Sequence, residues 1–218
     1  MDNKYYDLRI QYDNPPLVEG QLPSSPIVMF QNWFEEALKS SELEPNGMVF
    51  STAQQIGSEI KVRSRVVLLK EIDQGGFIFY TGLSSAKGQE ISKQKFGALN
   101  FWWKSLQRQI RIEGEVVLVD RKKNQEYFSS RPRASQLAVL AQKQTRPMKS
   151  RDELMQKYLE VEKKYSKEEI LDCPEDWGGL SLIPNYFEFW QGQPNRLHDR
   201  ISYTNVGSHH WEMSRLSP

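Results

Sequence analysis

The stretch between residues 48 and 120 constrains the fold most, because β-rich runs follow one another there with only one helical interruption. Each run is rich in β-branched or aromatic residues, and the runs cover residues 62–72, 76–81, 98–103 and 107–119. The tetrapeptide DQGG at 73–76 is a hairpin signal between the first two runs. A short helix is expected at 84–94. Several antiparallel strands of this length predict a barrel rather than a sheet of βαβ units.

The last of these runs shows the alternation of a strand with two different faces. Gln109, Arg111 and Glu113 fall on one face, whereas Ile110 and Ile112 fall on the other. The run therefore predicts a strand with one polar and one apolar side.

The first predicted helix begins at Ser25-Pro26, with serine at the N-cap and proline at the first helical position. Apolar residues then recur at the spacing of one buried helix face, at Phe30, Trp33, Phe34, Ala37 and Leu38. Residues 1–24 are polar and contain three prolines, which predicts an extended arm. A disordered tail is the alternative.

The chain turns helical again after residue 120. One helix is predicted at 121–130, where Pro132 interrupts the pattern, and a second at about 134–143. Ser150 and Glu153 form a capping box that opens a third helix. The apolar stripe of that helix consists of Leu154, Tyr158, Val161 and Tyr165.

The end of the chain returns to β-structure. A loop is expected at 172–179, a strand from residue 186, and a short C-terminal piece at 210–216. No repeat, low-complexity tract or long linker divides the 218 residues. We therefore predict a single α+β domain at 25–218 behind the arm.

Charge and composition exclude several classes of function. Lysine and arginine number 29 and aspartate and glutamate 28, so no global charge points to nucleic acid or to an anionic membrane. No apolar run approaches membrane-spanning length. The single cysteine, Cys173, cannot form an intramolecular disulfide and favours a reducing compartment. Because the N-terminus has neither signal nor transit character, a cytoplasmic location is expected.

The segment 186–201, YFEFWQGQPNRLHDRI, combines a strand pattern with a cluster of polar groups behind Gly192 and Pro194. Arg196, His198 and Arg200 lie there within a few residues of the indole of Trp190. A guanidinium, a group that titrates near neutrality and a stacking ring suit a planar anionic ligand. The alternative is a surface loop in which the arginines and the histidine pair with Asp199.

The strand sequence RVVLLK provides two further cations. Alternation places Arg65 and Lys70 on opposite faces, so a ligand or a second subunit is needed to cover one of them. Charges at strand ends also serve solubility alone. Gln144 and Thr145 are polar loop residues that could meet a ligand.

A third candidate is the segment EYFSSRPRAS. Because Pro132 breaks the helix, we place Arg131 and Ser135 near the start of the next one, with Tyr127 before the break. A helix N-terminus with an arginine and a hydroxyl is suited to phosphate. Ordinary capping with a surface arginine is the alternative.

Other common sites are not supported. The three histidines are His198, His209 and His210, and neither a cysteine pair nor HxxxH or HExxH spacing accompanies them, so no metal site is expected. The chain contains no GxGxxG, P-loop or GxSxG motif.

Taken together, these residues resemble the pyridoxine (pyridoxamine) 5′-phosphate oxidase family over about residues 8–218. The segments that carry the resemblance are RVVLLK (65–70), FYT (79–81), LQRQIRIEG (106–114), YFSSRPRASQ (127–136), WGG (177–179), FEFWQG (187–192), RLHDR (196–200) and RLSP (215–218). The resemblance implies a split β-barrel, a homodimer and FMN at the subunit interface. The flavin and the partner subunit would then cover one side of the strand that carries Arg65 and Lys70.

The resemblance also implies roles for single residues. The FMN site would comprise Arg65, Val66, Val67, Leu68, Leu69, Lys70, Tyr80, Thr81, Lys87, Gln109, Gln144, Thr145, Trp190 and Arg200. The substrate phosphate would be held by Lys70, Tyr127, Arg131 and Ser135. Arg196 and His198 would be catalytic residues over the substrate ring, and Arg9 and Tyr12 of the arm would help to close the site.

The implied activity is oxidation of pyridoxine 5′-phosphate or pyridoxamine 5′-phosphate to pyridoxal 5′-phosphate, in which FMN takes a hydride and O₂ is reduced to H₂O₂. Two alternatives remain open. One is a flavin reductase or related oxidoreductase on the same barrel, and the other is a non-catalytic binder of FMN or pyridoxal phosphate. The retained phosphate residues together with RLH favour the oxidase. The sequence does not choose between the two substrates.

The chain departs from the family pattern at two places. Ala86-Lys87 stands where the family usually has Arg-Lys, and the arm reads Arg9-Ile10-Gln11-Tyr12 where a second basic residue is common. Loss of a charged hydrogen bond weakens binding by about 1.5–3 kcal/mol if nothing replaces it. Looser retention of FMN is therefore expected.

Overall fold

The computed structural model describes residues 5, 8, 10–167, 170–207 and 210–218. The helices in this part are α1 (Pro26–Lys39), α2 (Ala86–Lys93), α3 (Arg121–Ser130), α4 (Arg133–Ala141) and α5 (Arg151–Lys164). The strands are β1 (Gly47–Ile56), β2 (Glu59–Leu68), β3 (Glu71–Asp73), β4 (Gly76–Gly82), β5 (Phe96–Trp103), β6 (Arg108–Leu118), β7 (Trp177–Gln191), β8 (Asp199–Gly207) and β9 (His210–Arg215). The predicted α+β class, with strands predominating, is confirmed. None of the described helices is long and apolar enough to cross a membrane.

The strands form one sheet in the order β2-β1-β5-β6-β7-β4-β3, with β8 added to β7 and β9 to β8. Strand β7 pairs antiparallel with β4, where Phe77 lies opposite Leu182, and with β8, where Phe187 lies opposite Tyr203. The predicted hairpin joins β3 to β4, since Asp73 pairs with Gly76. Gln74 and Gly75 between them have φ values of 48° and 80°, as the tight turn of a two-residue hairpin requires.

The chain divides into two compact units. Unit 1 comprises Met1–Phe50, Ala98–Glu113 and Pro184–Pro218. Its core is aromatic: the Phe30 ring of α1 lies 5.1 Å from that of Phe101, and the Trp33 ring lies 5.3 Å from that of Phe189. Ile110 and Ile112 of β6 are fully buried, so the apolar face predicted for this strand is confirmed. Leu38 was wrongly predicted to be buried and is 61% exposed, because it points about 100° further around α1 than the buried Ala37.

Unit 2 comprises Ser51–Gly97 and Gly114–Ile183. Its helical core contains Phe128, Leu137, Leu171, Cys173 and Trp177, against which α5 packs Tyr158, Val161 and Tyr165. Only the N-cap half of the predicted capping box is present, because the Ser150 hydroxyl accepts the Glu153 N–H at 3.1 Å. The Glu153 carboxylate accepts the N–H of Lys149 at 2.8 Å rather than that of the N-cap residue itself.

Three boundaries differ from the predictions. The run at 62–72 is not one strand, because β2 ends at Leu68 and β3 begins at Glu71. The loop predicted at 172–179 is shorter, since β7 already begins at Trp177. Strand β8 was missed, because Gly192 and Pro194 indicate a break in the chain, whereas extended structure resumes at Asp199.

Candidate functional site

Unit 2 contains a cavity of about 1080 Å³ lined by β2, β4, α2, the α3–α4 junction and the loop before α5. Its charged lining residues are six cations and one acid: Arg63, Arg65, Lys70, Lys87, Arg131, Lys143 and Asp176. An excess of positive charge in a concave site favours anionic ligands. This cavity is therefore suited to a ligand that carries phosphate or another anionic group.

Lys87 lies in the first turn of α2, behind the N-cap residue Ser85, and is only 7% exposed. Its ammonium group donates to the hydroxyl of Thr81 at 2.9 Å and to the side-chain oxygen of Gln144 at 3.1 Å. Burial, and then the charge of Arg65, lower the pKa of Lys87. Because both hydrogen-bond partners are neutral, the charge of Lys87 stays available to an anion in the cavity.

The loop residues Gln144 and Thr145 lie against the start of α2. The side-chain oxygen of Gln144 also accepts the N–H of Gly82 at 3.2 Å, and the hydroxyl of Thr145 accepts the N–H of Ala86 at 2.9 Å. Thr145 has a left-handed φ of 65°, which a threonine adopts only where its surroundings hold it there. The two polar residues that the sequence left as a weak signal are thus fixed beside Lys87.

Arg65 lines the cavity from β2 and is held by a buried carboxylate. Its guanidinium donates to the Thr52 hydroxyl and to Glu90, both at 2.9 Å, and Arg63 donates to the same carboxylate at 2.5 Å. Burial alone would raise the pKa of Glu90, but hydrogen bonds from Thr52 and Arg63 and the charge of Arg65 bring it below its usual value. Sequence analysis missed Glu90. Its position three residues after Lys87, on the same face of α2, could have indicated it.

The rest of RVVLLK follows two patterns. Arg65, Val66, Val67, Leu68 and Lys70 line the cavity. Leu69 is 7% exposed and lies in the core instead. Lys70 is anchored through its backbone, since its N–H donates to the carbonyl of Ile78 at 2.9 Å. Its ammonium group has no acceptor within the part of the chain that the structure describes.

Arg131 lies between α3 and α4 and is another cation of the cavity lining. Its guanidinium carbon is 4.9 Å from the ring centroid of Trp177. Its Nη1 is buried and has no hydrogen-bond partner among the described residues. Burial lowers the pKa of Arg131. A buried donor without an acceptor is costly, which indicates that a ligand completes this position.

Two predicted neighbours of Arg131 also line the cavity. Tyr127, in α3, stacks on Tyr80 with ring centroids 3.8 Å apart. Ser135 is in the first turn of α4, as predicted, with Pro132 at the N-cap position. The structure thus brings Tyr127, Arg131 and Ser135 to one side of the same cavity.

Unit 1 contains a cluster of three rings. The Trp190 and His198 rings lie 4.6 Å apart, and the ring of Tyr12 lies 5.9 Å from the former and 5.8 Å from the latter. His198 Nδ1 accepts the backbone N–H of Gln193 at 3.1 Å. Burial, and then the nearby charge of Arg196, lower the pKa of His198. At neutral pH this imidazole is therefore neutral and carries its proton on Nε2.

The arm that carries Tyr12 is bound to unit 1. Asn14 donates to the carbonyl of Gly192 at 3.1 Å, and the N–H of Leu17 donates to Asp199 at 2.9 Å. A Cβ at Gly192 would lie 2.7 Å from the Tyr12 ring, so only glycine permits this contact. From residue 10 onward the arm is therefore not a disordered tail. Arg9 lies outside the described residues.

Arg196 is exposed and lies on an unusual piece of backbone. Asn195 and Arg196 have φ values of 57° and 62°, both left-handed. Two successive non-glycine residues in this region are strained, and such strain is often found at functional sites. Asp199 pairs instead with Arg215 at 2.5 Å and accepts from Gln193 at 2.8 Å, so the alternative pairing of Arg196 and His198 with Asp199 is wrong.

The remaining predicted residues of unit 1 are held within its own sheet. Arg200 donates to Glu188 at 2.9 Å and to the carbonyl of Ser217 at 2.8 Å. Glu188 is 5% exposed and also accepts from Arg111. Gln109 donates to Asn100 at 2.8 Å.

The structure therefore brings the candidate residues together in two groups. The group in unit 2 lines the cavity and consists of Arg65, Val66, Val67, Leu68, Lys70, Tyr80, Thr81, Lys87, Tyr127, Arg131, Ser135, Gln144 and Thr145. The group in unit 1 consists of Tyr12, Trp190 and His198 in ring contact, with Arg196, Arg200 and Gln109 on the neighbouring elements.

Known proteins are similar to this chain in both sequence and fold. The family model described as "Pyridoxamine 5'-phosphate oxidase" matches residues 34–165. The model described as "Pyridoxine 5'-phosphate oxidase C-terminal dimerisation region" matches residues 177–218. The pyridoxine/pyridoxamine 5′-phosphate oxidase of Gloeothece citriformis is 41% identical over the full 218 residues of both chains. The chloroplastic pyridoxine/pyridoxamine 5′-phosphate oxidase 1 of Arabidopsis thaliana is 42% identical over 97% of this chain, which spans only 40% of the plant protein.

Solved structures confirm the fold. PhzG from Burkholderia lata, in complex with tetrahydrophenazine-1-carboxylic acid, has a TM-score of 0.86 at 26% identity and covers 95% of this chain and 100% of its own. A pyridoxamine 5′-phosphate oxidase-related, FMN binding protein from Nostoc punctiforme has a TM-score of 0.68 at 16% identity, over 87% of this chain and 97% of that one. The predicted split β-barrel is therefore confirmed. With two family models and full-length relatives in agreement, the chain belongs to the pyridoxamine 5′-phosphate oxidase family.

Proposed function

We propose that the protein is an FMN-dependent oxidase, which converts pyridoxine 5′-phosphate and pyridoxamine 5′-phosphate to pyridoxal 5′-phosphate with O₂ as electron acceptor and H₂O₂ as product. The observation that carries this proposal is the Arg131 guanidinium, whose Nη1 is buried without a hydrogen-bond partner among the described residues, in a cavity rich in cations. Such a position fits the phosphate of a substrate. The pyridoxine/pyridoxamine 5′-phosphate oxidase of Gloeothece citriformis, which aligns with the whole chain, supports the same activity.

The lining residues around Lys87 fit FMN. The buried ammonium group with neutral partners, together with Arg65, suits the flavin phosphate. Gln144 and Thr145 would hold the adjoining part of the cofactor through the polar atoms that face α2. When bound, FMN supplies the acceptor for a hydride and passes the electrons to O₂.

The lining residues around Arg131 suit the substrate phosphate. Arg131 would donate through its Nη1, Ser135 would add a hydroxyl at the start of α4, and Lys70 would add an ammonium group. Tyr127 is stacked against Tyr80 and would form one side of the phosphate site. These residues neutralise and orient a phosphate, and they take no part in bond breaking.

Arg196 and His198 are the proposed catalytic residues. The exposed guanidinium of Arg196 has no hydrogen-bond acceptor among the described residues and would orient the substrate ring and stabilise its charge. His198 offers an Nε2–H, because its Nδ1 already accepts the N–H of Gln193. Tyr12 would help to enclose the substrate, since it contacts the rings of both Trp190 and His198.

We further propose that the protein works as a homodimer with FMN at the subunit interface. The match of residues 177–218 to a C-terminal dimerisation region supports this assembly. A partner subunit could supply site residues that one chain alone does not bring to the cavity. A cytoplasmic location remains a prediction from the sequence.

One assay distinguishes the oxidase from its alternatives. Pyridoxine 5′-phosphate or pyridoxamine 5′-phosphate is added to the FMN-loaded protein in air, and pyridoxal 5′-phosphate and H₂O₂ are followed together. We expect both products in equal amounts. Binding without products would support a carrier, and flavin reduction by a nicotinamide but not by the B6 phosphates would support a reductase.

A further inference from the structure

We propose that Trp177 is a positioning residue for the substrate phosphate: its indole face holds the Arg131 guanidinium in the cavity without neutralising it. The identity of the ligand rests on the proposed function. The geometric part of the inference rests on the contacts of Arg131 alone.

The contacts of Trp177 support this role. The ring is 6% exposed, lines the cavity and lies 4.9 Å from the guanidinium carbon of Arg131. It is nearly parallel to Tyr127, at an interplanar angle of 2° and a centroid distance of 6.2 Å, and it stacks on Tyr80 at 5.4 Å. The indole thus belongs to a rigid stack of three rings and gives Arg131 a fixed surface.

The backbone of Arg131 is fixed separately. The buried Gln136 side chain donates to the carbonyl of Arg131 at 2.7 Å and to that of Ser129 at 3.2 Å. These bonds hold the junction between α3 and α4. The long side chain of Arg131 would still be free to turn toward solvent, and the indole face is the contact that opposes this movement.

No acid among the described residues pairs with Arg131. The titratable groups that act on it are Tyr127 and Cys173, and burial raises the pKa of both, so they are neutral at physiological pH. A carboxylate in the place of Trp177 would hold the arginine more firmly but would compete with phosphate for its donors. An aromatic face attracts the cation and leaves the donors in the guanidinium plane available.

The test measures phosphate affinity apart from turnover. Trp177→Leu and Trp177→Phe are compared with the native protein, all loaded with FMN, by calorimetric titration with inorganic phosphate and by kinetics with pyridoxine 5′-phosphate. Phe128→Leu is the matched control, since Phe128 packs on Trp177 at 5.4 Å in the same core but does not line the cavity. Arg131→Ala shows which part of the phosphate signal belongs to this position.

We expect Trp177→Leu to raise the phosphate Kd and the substrate KM by the same factor, about three- to thirtyfold, with kcat changed by less than about twofold. Trp177→Phe should give a smaller rise, because phenyl is a weaker partner for a cation than indole. Phe128→Leu should lower Tm and leave the phosphate Kd unchanged. If Trp177→Leu does not fold, the rise in Trp177→Phe decides the question.

An unchanged phosphate Kd in the Trp177 variants would overturn the inference. So would equal weakening in Phe128→Leu, because binding would then follow the packing of the core rather than the indole face. The outcome is separable from the proposed function. Phosphate binding that depends on Arg131 and Trp177, in a protein that does not oxidise B6 phosphates, would support the inference and refute the oxidase. Oxidation of B6 phosphates that does not change in the Trp177 variants would refute the inference and support the oxidase.

Discussion

The cavity of unit 2 and the ring cluster of unit 1 fix their arginines in opposite ways. In the cavity Arg65 is bound to a buried carboxylate and Arg131 lies on an indole, so both guanidinium groups are placed before any ligand arrives. In unit 1 the left-handed backbone at Arg196 is defined, whereas its side chain is exposed and has no acceptor among the described residues. The first arrangement suits phosphate groups that bind at fixed positions, and the second suits a group that moves onto its ligand.

The same contrast applies to the other titratable groups. Lys87 is buried with neutral hydrogen-bond partners, and Glu90 is buried with cationic ones. These charged groups therefore lie in a low-dielectric environment, where electrostatic interactions are stronger than in water. His198 is neutral and is oriented by one backbone N–H. We infer that the cavity contributes mainly binding and that the ring cluster contributes mainly to turnover. The following variants test this division.

The largest effect is expected for Arg196→Leu. Loss of the guanidinium that orients the substrate ring against the flavin should lower kcat/KM by roughly 10²-fold, with FMN content unchanged. Kinetics with pyridoxine 5′-phosphate and the flavin absorbance per protein chain measure the two quantities. Arg196→Lys is the control, since it keeps the charge but not the planar fork. An unchanged kcat/KM would remove Arg196 from the mechanism.

Arg131→Ala should show the complementary behaviour. Loss of charged hydrogen bonds to phosphate should raise KM by about 10- to 100-fold and leave kcat nearly unchanged. Because Nη1 has no acceptor in the part of the chain that the structure describes, Tm without phosphate should not fall in the way expected for a lost salt bridge. Arg133→Ala in the same segment is the control, since Arg133 donates to the carbonyl of Tyr165 and does not line the cavity. A large loss of kcat in Arg131→Ala would contradict the division of roles.

Sequence patterns predicted the helices and the hairpin around the cavity well, because these elements depend on local sequence. The proline break and the hydroxyl at the start of α4 follow from helix chemistry, and the hairpin follows from DQGG. The co-linear motifs indicated Arg65 and Lys87 through the resemblance. The prediction failed after Gly192 and Pro194. These residues indicate a loop, but they do not show that the strand β8 follows it.

The sequence could not show which partner holds each charged group. Arg65 and Glu90 are separated by 25 positions and meet only because β2 and α2 pack together. Arg131 meets Trp177 across the α3–β7 connection, and nothing in the local pattern around either residue predicts that contact. Asp199 looked like the partner of its neighbours in sequence and is instead bound to Arg215. Long-range pairing of this kind depends on tertiary structure, which periodicity does not encode.

A smaller effect is expected for Ala86→Arg, which tests the proposed FMN site around Lys87. Ala86 is exposed, lines the cavity and precedes Lys87, so an arginine there would add a second cation without displacing a core side chain. FMN should bind about tenfold more tightly, as measured by quenching of flavin fluorescence. Gln89→Arg adds the same charge to α2 but does not line the cavity, and should have little effect. An unchanged FMN Kd in Ala86→Arg would show that the missing arginine is already compensated.

The smallest effect concerns His198 and the dependence of stability on pH. Burial, and then Arg196, lower the pKa of His198, whereas in the unfolded chain the imidazole titrates near about 6.5. The unfolded state therefore binds more protons just below neutrality, so stability falls as the pH drops through 6.5 toward the lower folded value. Protonation of Nδ1 would also turn a donor toward the N–H of Gln193.

His198→Asn keeps an acceptor for that N–H but does not titrate, so its Tm should fall less than the native Tm between about pH 7.5 and 5.5. His210→Asn, which removes an exposed imidazole from β9, is the matched control. If the two Tm profiles of the native protein and His198→Asn were parallel, the histidine would be free to protonate in the fold, and the ring cluster would lack the fixed neutral donor that its proposed part in turnover requires.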